Sequence, residues 1–400
     1  MDFKIFNFHP SIAAGITAAG FKKPTPIQAK AIIPLMQGLD VMGLAQTGTG
    51  KTAAFALPLL NRLIDKKRGS IRALIIAPTR ELAEQIHQDI NTLGGQTSLR
   101  CITLYGGVGL SPQVQKLKKG VEIIVACPGR LIDHINRGNL DLSFLEVLIL
   151  DEADQMLDMG FVPDIRRILK HIPRNRQTLM FSATMPEEIK RLAYEILCKP
   201  VIVQVGTTAP ADTVSHLHFP VAQNLKTPLL LKILKDTKIG SVLVFTRTKH
   251  RAKRLSEVLS KAGYGSTSLQ GNLSQGRRQA ALNGFRSGKF QILVATDIAA
   301  RGIDVSNVSH VVNYDVPATP EAYIHRIGRT GRAEQIGKAF NLVTSDDSVI
   351  VRSINRILGS QIEQLTLPDF DYGPSVHLTP KKEARTTRPW KSRRKSFHAL

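Results

Sequence analysis

The stretch VMGLAQTGTGKTAAF, residues 41–55, joins an apolar run to a glycine-rich loop and then to a helix-forming segment. Residues 41–45 read as a strand, and the residues from Ala53 onward favour a helix. A strand that passes through a short loop into a helix is the repeating unit of a parallel α/β sheet. The backbone N–H groups of such a loop lie at the helix N-terminus, where they can bind phosphate oxygens.

The loop has the residue types and spacing of a nucleotide-binding site. Lys51 would reach the β- and γ-phosphates, and Thr52 would supply a hydroxyl to Mg²⁺. The strict pattern begins with glycine, where this chain has Ala45. The alternative interpretation is a glycine-rich turn that binds nothing. The residues predicted to contact the nucleotide here are Gln46, Thr47, Gly48, Thr49, Gly50, Lys51 and Thr52.

A second stretch, VLILDEADQMLDMGF at residues 147–161, runs from an apolar strand directly into Asp151, Glu152 and Asp154. Like charges this close raise one another's pKa, unless a cation lies among them. Such a cluster alone would equally fit a solvated acidic turn that caps the next helix. With a phosphate loop in the same chain, Asp151 can hold Mg²⁺ through water, and Glu152 can orient and deprotonate an attacking water.

Short apolar runs rich in β-branched residues alternate with helical stretches along most of the chain. The runs RALIIAP, EIIVACP, QILVATD and HVVNYD do not alternate in polarity, as expected for parallel strands covered on both faces. Two such series predict two tandem doubly wound α/β domains. We place them at residues 1–206 and 215–365, with a linker at 207–214 and a mostly disordered basic tail at 366–400.

The charge of the chain points to a polyanionic partner. The 400 residues carry a formal net charge of +22, and the sequence pI is about 10.1. Residues 381–400 hold eight Lys and Arg and one Glu, a net +7, so 22 − 7 = +15 remains on the other 380 residues. The basic excess therefore belongs to the folded domains too, which favours nucleic acid. No long basic amphipathic helix favours a membrane surface.

Features of secreted and membrane proteins are missing from the sequence pattern. No apolar run approaches the roughly 20 residues of a membrane-spanning helix, and the first residues lack the pattern of a signal peptide. The three cysteines, Cys101, Cys127 and Cys198, are far apart and form no CxxC pair. A disulfide framework or a zinc site is therefore not expected, and we predict a cytoplasmic protein.

These motifs, together with others in a fixed order, resemble those of the DEAD-box RNA helicases over roughly residues 1–345. The order is GFKKPTPIQ (20–28), the phosphate loop, PTREL (78–82), GG (106–107), PGR (128–130), DEAD (151–154), SAT (182–184), VFTRT (244–248), QGNLSQGRR (270–278), ATDIAARGID (295–304) and HRIGRTGR (325–332). The wording of DEADQMLDMGF and VLVFTRTKH is most similar to the bacterial RhlE-like branch. The resemblance implies two RecA-like domains and a site that uses ATP and Mg²⁺.

The resemblance also implies roles for residues outside the phosphate loop. Gln28 would read the adenine edge, and Phe21 would stack on the adenine ring, with Phe3 as the upstream aromatic residue. Asp304 would bind the ribose hydroxyls. Asp154, Ser182 and Thr184 would couple hydrolysis to strand separation.

HRIGRTGR places arginines in the second domain, whereas the phosphate loop is in the first. A guanidinium brought across the cleft can stabilise γ-phosphate charge in the transition state, and we assign this role to Arg329 and Arg332. His325 and Arg326 would link to the DEAD and SAT motifs. The alternative for the arginines is a solvated basic helix. On this interpretation the site is complete only when the domains close, and RNA would close them.

The predicted RNA contacts suit a sugar-phosphate backbone, so they carry little sequence information. Gly107 and Gly271 have an alternative interpretation as ordinary turn glycines. Cys127 stands where the family's TPGR has Thr, which weakens one phosphate contact. Trp390 lies among basic tail residues and could stack on a base, or have no role. The predicted RNA-binding residues are Arg80, Gly107, Gly129, Arg130, Arg247, Gly271 and Thr296.

The function predicted from these motifs is an ATP-dependent RNA helicase that separates RNA duplexes locally and remodels ribonucleoproteins, acting as a monomer. Ribosome assembly and RNA decay are its candidate settings. One alternative is an ATP-gated RNA clamp or scaffold with little unwinding, and another is a DNA translocase. A P-loop kinase or transporter would leave the motifs of the second domain unexplained.

Overall fold

The computed structural model describes residues 2–46, 48–205, 214–237, 240–300, 305, 308–331 and 337–373. Two parallel β-sheets of seven strands each, with helices on both faces, make up these residues. The predicted fold class is thus confirmed. Among the described residues, no helix is long and apolar enough to cross a membrane.

The first sheet has the strand order β3-β4-β2-β5-β6-β1-β7. Its central strands are apolar along their whole length because helices cover both faces; β2, β4 and β5 are buried at every position. The strands are β1 (Val41–Leu44), β2 (Ala73–Ile76), β3 (Cys101–Leu104), β4 (Ile123–Ala126), β5 (Val147–Leu150), β6 (Gln177–Ser182) and β7 (Val201–Gln204). The helices are α1 (Pro10–Ala18), α2 (Pro26–Met36), α3 (Lys51–Leu63), α4 (Arg80–Leu93), α5 (Leu110–Lys118), α6 (Pro128–Asn136), α7 (Ala153–Asp158), α8 (Val162–Leu169) and α9 (Glu187–Ile196), preceded by a 3-10 turn at Phe3–Phe6.

The second sheet repeats the arrangement in the order β10-β11-β9-β12-β13-β8-β14. Its strands are β8 (Val214–Pro220), β9 (Val242–Phe245), β10 (Ser266–Leu269), β11 (Ile292–Ala295), β12 (His310–Asn313), β13 (Gly337–Val343) and β14 (Glu363–Gln364). The helices are α10 (Lys226–Asp236), α11 (Lys249–Lys261), α12 (Gln275–Arg286), α13 (Asp297–Ala300), α14 (Pro320–Ile327) and α15 (Ser348–Leu358), with 3-10 turns at Gln223–Leu225 and Ser345–Asp347.

The predicted domain boundaries differ from the structure at two points. Val214, the last residue of the predicted linker, is already the first residue of β8. At the other end, Leu367, Phe370 and Tyr372 pack against the core of the second domain, and the Leu367 N–H donates to the Tyr372 hydroxyl at 2.9 Å. Packed chain thus continues past residue 365. The tail beyond residue 373, with Trp390, lies outside the described residues.

In both domains the functional motifs follow the carboxyl ends of neighbouring strands. In a parallel sheet these ends lie at one edge, which is where ligands bind in open α/β folds. Each sheet thus presents one edge that is rich in motif residues, and the opposite edge holds the strand beginnings.

Candidate active site and RNA interface

The phosphate loop folds as a tight strand-to-helix turn. Gly48 and Gly50 have φ values of 81° and 90°, a left-handed conformation that glycine adopts without steric cost. Lys51 begins α3 and is 5% exposed. Its Nζ donates to the Ala45 carbonyl at 2.9 Å, so the ammonium lies inside the loop that would surround the phosphates. Thr52 follows on the first turn of α3, whereas Thr47 lies outside the described residues.

Gln28 joins the start of α2 to the phosphate loop. Its Oε1 accepts from the Thr25 N–H at 2.9 Å, and its Nε2 donates to the Gly50 carbonyl at 3.1 Å. An amide has a further lone pair and a further N–H, so Gln28 can still pair with an adenine edge. Phe21 is 40% exposed, and its ring stacks on Phe3 with centroids 6.2 Å apart. The Phe21 ring that is predicted to stack on adenine is thus exposed, and Phe3 packs against it.

The three carboxylates after β5 are buried, each at 3% exposure or less. Burial raises the pKa of Asp151, although Lys51 opposes the rise. Burial likewise raises the pKa of Glu152 to about 7, with Lys51 and Arg329 opposing and Asp151 and Asp154 adding to the rise. Arg329 belongs to the second domain and is itself buried. Arg329 therefore lies within electrostatic reach of Glu152, and its role at the γ-phosphate stays a prediction.

Magnesium fits this donor set. Mg²⁺ is commonly held by one or two carboxylates together with substrate phosphates and waters. Asp151 supplies a buried carboxylate close to Lys51, and Thr52 supplies a hydroxyl at the start of α3. Among the described residues, no group of three or more His, Cys, Asp or Glu could hold a metal ion by itself. A magnesium ion held by Asp151 and Thr52 would take its remaining ligands from nucleotide phosphates and water.

Asp154 connects the DEAD and SAT motifs with the second domain. Its Oδ2 accepts from the N–H groups of Ala183 and Thr184 at 3.1 and 2.8 Å and from the Thr184 hydroxyl at 2.9 Å. The Asp154 N–H donates to the Ser182 hydroxyl at 3.3 Å. His325 Nε2 lies 3.5 Å from the same Oδ2. Burial alone would raise the pKa of Asp154, but the nearby His325, Lys51 and the Thr184 N–H together hold it well below its usual range.

Arg326, unlike its neighbour His325, makes its contacts within the second domain. Its guanidinium pairs with both oxygens of Asp297 at 2.6 and 2.7 Å and donates to Asn313 Oδ1 and the Asp315 carbonyl, both at 2.7 Å. These partners all belong to the second domain. Among the described residues, His325 therefore makes the predicted contact with the DEAD motif, whereas the hydrogen bonds of Arg326 hold its own domain together. Arg332 and Asp304 lie outside the described residues.

The predicted RNA contacts of the first domain follow three adjacent strands, β3, β4 and β2. Arg80 begins α4 after β2, and Gly107 follows β3 with φ 78°. A Cβ on Gly107 would lie 2.0 Å from Arg80 Nη1, so these two residues are in direct contact. Arg130 donates to the Val108 carbonyl at 3.1 and 3.2 Å, and Gly129 has no atom near the position of a Cβ. The four residues thus converge on one surface.

The second domain repeats this pattern on β10, β11 and β9. Gly271, Thr296 and Arg247 follow these strands in turn. The Arg247 side chain is 67% exposed, while its N–H donates to Asp315 at 2.8 Å. A Cβ on Gly271 would meet no neighbour within 4 Å. The backbone is accessible there, as a phosphate contact requires.

Cys127, the departure from the family pattern, is the N-cap residue of α6 and makes no side-chain capping hydrogen bond. Burial is the main cause that raises the pKa of its thiol. A neutral, weakly donating thiol gives less to a phosphate than a threonine hydroxyl would. The predicted weakening of this contact therefore has a local structural basis.

The sequence did not predict one pair of residues that joins the two domains. Arg278 Nε donates to Glu81 Oε1 at 2.7 Å, and the two side chains are 11% and 7% exposed. Glu81 is on α4 of the first domain and Arg278 on α12 of the second. Both lie within quoted motifs, PTREL and QGNLSQGRR. Their pairing has no signal in a single sequence, because 197 positions separate them.

Known proteins with similar sequences indicate the family to which the chain belongs. The chain matches the DEAD/DEAH box helicase family over residues 25–192 and the helicase conserved C-terminal domain over residues 225–334. It is 42% identical to the DEAD-box ATP-dependent RNA helicase CshA of Geobacillus kaustophilus over 370 residues, 92% of this chain and 79% of the relative. Identity to CshA of Bacillus subtilis is also 42%, over 93% of this chain and 75% of that protein. The RhlE-like branch stays a prediction, since these relatives carry another name.

A solved structure gives the same result. Dbp5 of S. cerevisiae bound to RNA and ADP BeF3 aligns with a TM-score of 0.80 and 30% identity, covering 91% of this chain and 95% of that one. A DEAD box protein from Methanococcus jannaschii aligns with a TM-score of 0.55 and 38% identity, covering 92% and 99%. From the ordered motifs, the two sheets and these relatives, we conclude that the chain belongs to the DEAD-box family of ATP-dependent RNA helicases.

Proposed function

We propose that ATP binds between the two domains and is hydrolysed only when RNA holds the domains together. The observation that carries this proposal is the approach of His325 Nε2, from the second domain, to Asp154 Oδ2, from the first, at 3.5 Å. Arg329, also from the second domain, opposes the rise in the pKa of Glu152 that burial causes. Catalytic groups on separate domains make hydrolysis depend on closure. RNA spans both domains through the residues at the carboxyl ends of β2, β3, β4, β9, β10 and β11, and thereby favours the closed state.

Each side chain has a defined task in this proposal. The phosphate loop and Lys51 bind the phosphates, while Gln28 and Phe21 bind the adenine. Magnesium, held by Asp151 and Thr52, would neutralise phosphate charge as it does in related sites. Glu152 accepts the proton of the attacking water, and Arg329 with Arg332 stabilises the charge that develops on the γ-phosphate.

Asp154 transmits the state of the ATP site to the SAT motif. Because its Oδ2 contacts Thr184 and lies near His325, a movement of the second domain changes the hydrogen bonds of the SAT segment. We propose that closure in this way bends the bound strand and separates a short duplex. Both halves of the site come from one chain, which supports a monomer. All three cysteines are unpaired, which supports a cytoplasmic location.

The first experiment is ATP hydrolysis measured without nucleic acid, with single-stranded RNA and with DNA of the same sequence. Strong stimulation by RNA, and weak stimulation by DNA, is expected. Hydrolysis that is indifferent to RNA would contradict the proposal, because the cleft would then close without it. Strand-displacement assays with the same protein distinguish a helicase from a clamp, since a clamp holds RNA in the presence of ATP but does not release the displaced strand.

The Glu152→Gln variant tests the assignment of the base. It keeps size and hydrogen bonding but cannot accept the proton, so turnover is expected to fall about 10²–10⁴-fold. ATP and RNA binding should stay close to wild type. The matched control is Glu187→Gln, an exposed carboxylate of α9. Near-normal turnover in the Glu152 variant would rule out Glu152 as the base.

A further inference from the structure

The predicted RNA residues of the two domains, which follow the carboxyl ends of their strands, form what we call the RNA track. A dense group of cations lies at the opposite edge of the first sheet from this track. Three adjacent strands, β3, β4 and β2, carry the predicted RNA residues at their carboxyl ends and this group at their amino ends. We call this group the amino-edge patch, and it consists of Lys66, Lys67, Arg68, Arg72, Arg100, Lys118 and Lys119. A strand of four residues is roughly 13 Å long. The patch is thus separate from the track but within reach of a longer RNA.

Glu122 draws the segments of the patch together. Its Oε1 accepts from the Gly69 N–H at 2.6 Å, and its Oε2 accepts from the Arg100 N–H at 2.8 Å. The Glu122 side chain is only 1% exposed. The same three segments touch elsewhere: a Cβ on Gly120 would lie 2.9 Å from the Cα of Gly69, and Arg100 Nη1 donates to the Lys119 carbonyl at 2.6 Å. The cations on these segments therefore share one surface.

The carboxylates nearby lie against arginines of this surface rather than against its lysines. Glu122 is buried, accepts from two backbone N–H groups and lies 4.0 Å from Arg100 Nη2. Glu146 is already paired with Arg72 and Arg62, and Asp65 is the one exposed acid in the segment before Lys66. Among the described residues, no ion pair joins Lys67, Lys118 or Lys119 to a carboxylate within 4.0 Å. All three lysines are exposed. The patch thus carries uncompensated positive charge toward the solvent.

We propose that the amino-edge patch is a second RNA-binding surface, which takes the sugar-phosphate backbone of a segment that extends beyond the track. Lysine and arginine groups of this kind contact phosphates and position an RNA without reading its bases. The proposal rests on RNA as the partner of the family and needs no particular step of hydrolysis. The cations of the patch are part of the net +15 that remains when the last 20 residues are left out.

The test is a variant that neutralises three lysines, Lys67→Gln, Lys118→Gln and Lys119→Gln. Binding is measured over a range of salt concentrations with two RNAs, one short enough to fill only the track and the same RNA extended by a single strand. For single-stranded RNA, log K falls with log salt by about 0.7 for each phosphate neutralised. The slope for the extended RNA is therefore expected to become shallower by about 2, while the short RNA binds as before.

The matched control neutralises three lysines that already pair with acids on helices, the exposed Lys190→Gln and Lys253→Gln and the half-buried Lys232→Gln. It removes the same charge, so an equal change in slope for the control would mean that net charge alone is responsible. An unchanged slope in the patch variant would overturn the proposal and leave those lysines a role at the helix ends only. ATP hydrolysis stimulated by the short RNA reports separately on the proposed cycle.

Discussion

Glu152 has a backbone conformation that few residues with a side chain adopt, with φ 54° and ψ 53°. This left-handed conformation costs roughly 1–2 kcal/mol, and it occurs where the buried strand β5 turns into α7. The turn keeps the Glu152 carboxylate buried and close to Lys51. Strain that persists at a buried carboxylate beside a phosphate loop is consistent with a functional constraint on that residue.

At Gly107, the backbone conformation and the nearby Arg80 leave no room for a side chain. The Gly107→Ala variant adds a Cβ 2.0 Å from Arg80 Nη1, so we expect Arg80 to be displaced and RNA affinity to fall. A loss of about tenfold corresponds to about 1.4 kcal/mol, within the range of one charged phosphate contact. The measurement is RNA binding at fixed salt.

The control for this variant is Gly288→Ala. Gly288 has the same φ of 78°, but a Cβ there would meet nothing within 4 Å. Both variants carry the same backbone strain, and only one disturbs Arg80. Equal RNA affinity in the two variants would show that Arg80 is not held for RNA by Gly107.

At the scale of elements, a chain of hydrogen bonds runs through the second sheet from Arg326 to β8. Asn313 on β12 accepts from Arg326 and donates to Asn341 on β13 at 2.8 Å. Asn341 donates to the Tyr323 hydroxyl at 3.3 Å, which lies 2.9 Å from His216 Nδ1. All four bonds can point in one direction if His216 is neutral, and burial lowers the pKa of His216.

The Asn313→Ala variant tests this chain. It leaves the buried guanidinium of Arg326 without one acceptor and Asn341 without a donor, which costs about 1–3 kcal/mol. We expect a lower free energy of unfolding in denaturant titration and reduced ATP turnover. The control is Asn283→Ala, an exposed residue of α12 whose partner Gln279 is also on the surface. A variant as stable as wild type would mean that water replaces the lost amide.

The histidines of β8 and β12 make the second domain sensitive to acid. Burial, with a smaller effect of Lys338, lowers the pKa of His310 from 6.5 to about 4. Burial, with His216, does the same for His218. Between these values the unfolded chain binds protons that the folded chain does not. Stability is therefore complete above about pH 6.5 and falls progressively as the pH drops toward 4, by about 1.4 kcal/mol for each unit of pKa depression.

The His310→Gln variant should lose less stability than wild type when the pH is lowered from about 7 to about 5. The quantity compared is the pH dependence of the free energy of unfolding, because the substitution also changes packing against Phe340. His171→Gln, at an exposed position before β6, serves as the control for the loss of one histidine. An identical pH dependence in all three proteins would contradict the assignment.

At the scale of the whole molecule, the two domains touch through polar pairs. Glu81 and Arg278 pair with side chains that are only 7% and 11% exposed, and His325 lies beside Asp154. Arg278 also donates to the Ala299 carbonyl at 3.2 Å, so its orientation is fixed within its own domain. The contact between the two domains in this structure therefore depends in part on one carboxylate, that of Glu81, which a substitution can remove.

We expect Glu81→Gln and Arg278→Gln each to lower RNA-stimulated ATP turnover, and the double variant to be no worse than the more affected single one. Two residues in contact couple by about 0.5–3 kcal/mol, so the double-mutant cycle should give a value in that range. Arg166 and Glu195 form an exposed pair within the first domain, and Arg166→Gln is the control. Additive losses in the cycle would show that the bridge does not stabilise the active arrangement.

Much of the fold and of the nucleotide site could be predicted from short stretches of sequence, because local physics decides them. The apolar runs RALIIAP and HVVNYD contain β2 and β12. The glycines of the phosphate loop have left-handed conformations, which glycine adopts without steric cost. The same is true of the acidic stretch after β5. Patterns of this kind involve neighbours in the chain, so a single sequence contains them.

The tertiary structure alone decided which distant residues meet. Nothing local distinguishes His325, which reaches Asp154, from Arg326, which turns into its own domain toward Asp297. The bridge from Glu81 to Arg278 and the collection of lysines around Glu122 likewise arise from strand order and helix packing. These contacts depend on how the chain folds back on itself, because their energy comes from groups far apart in sequence that only the sheets bring within reach.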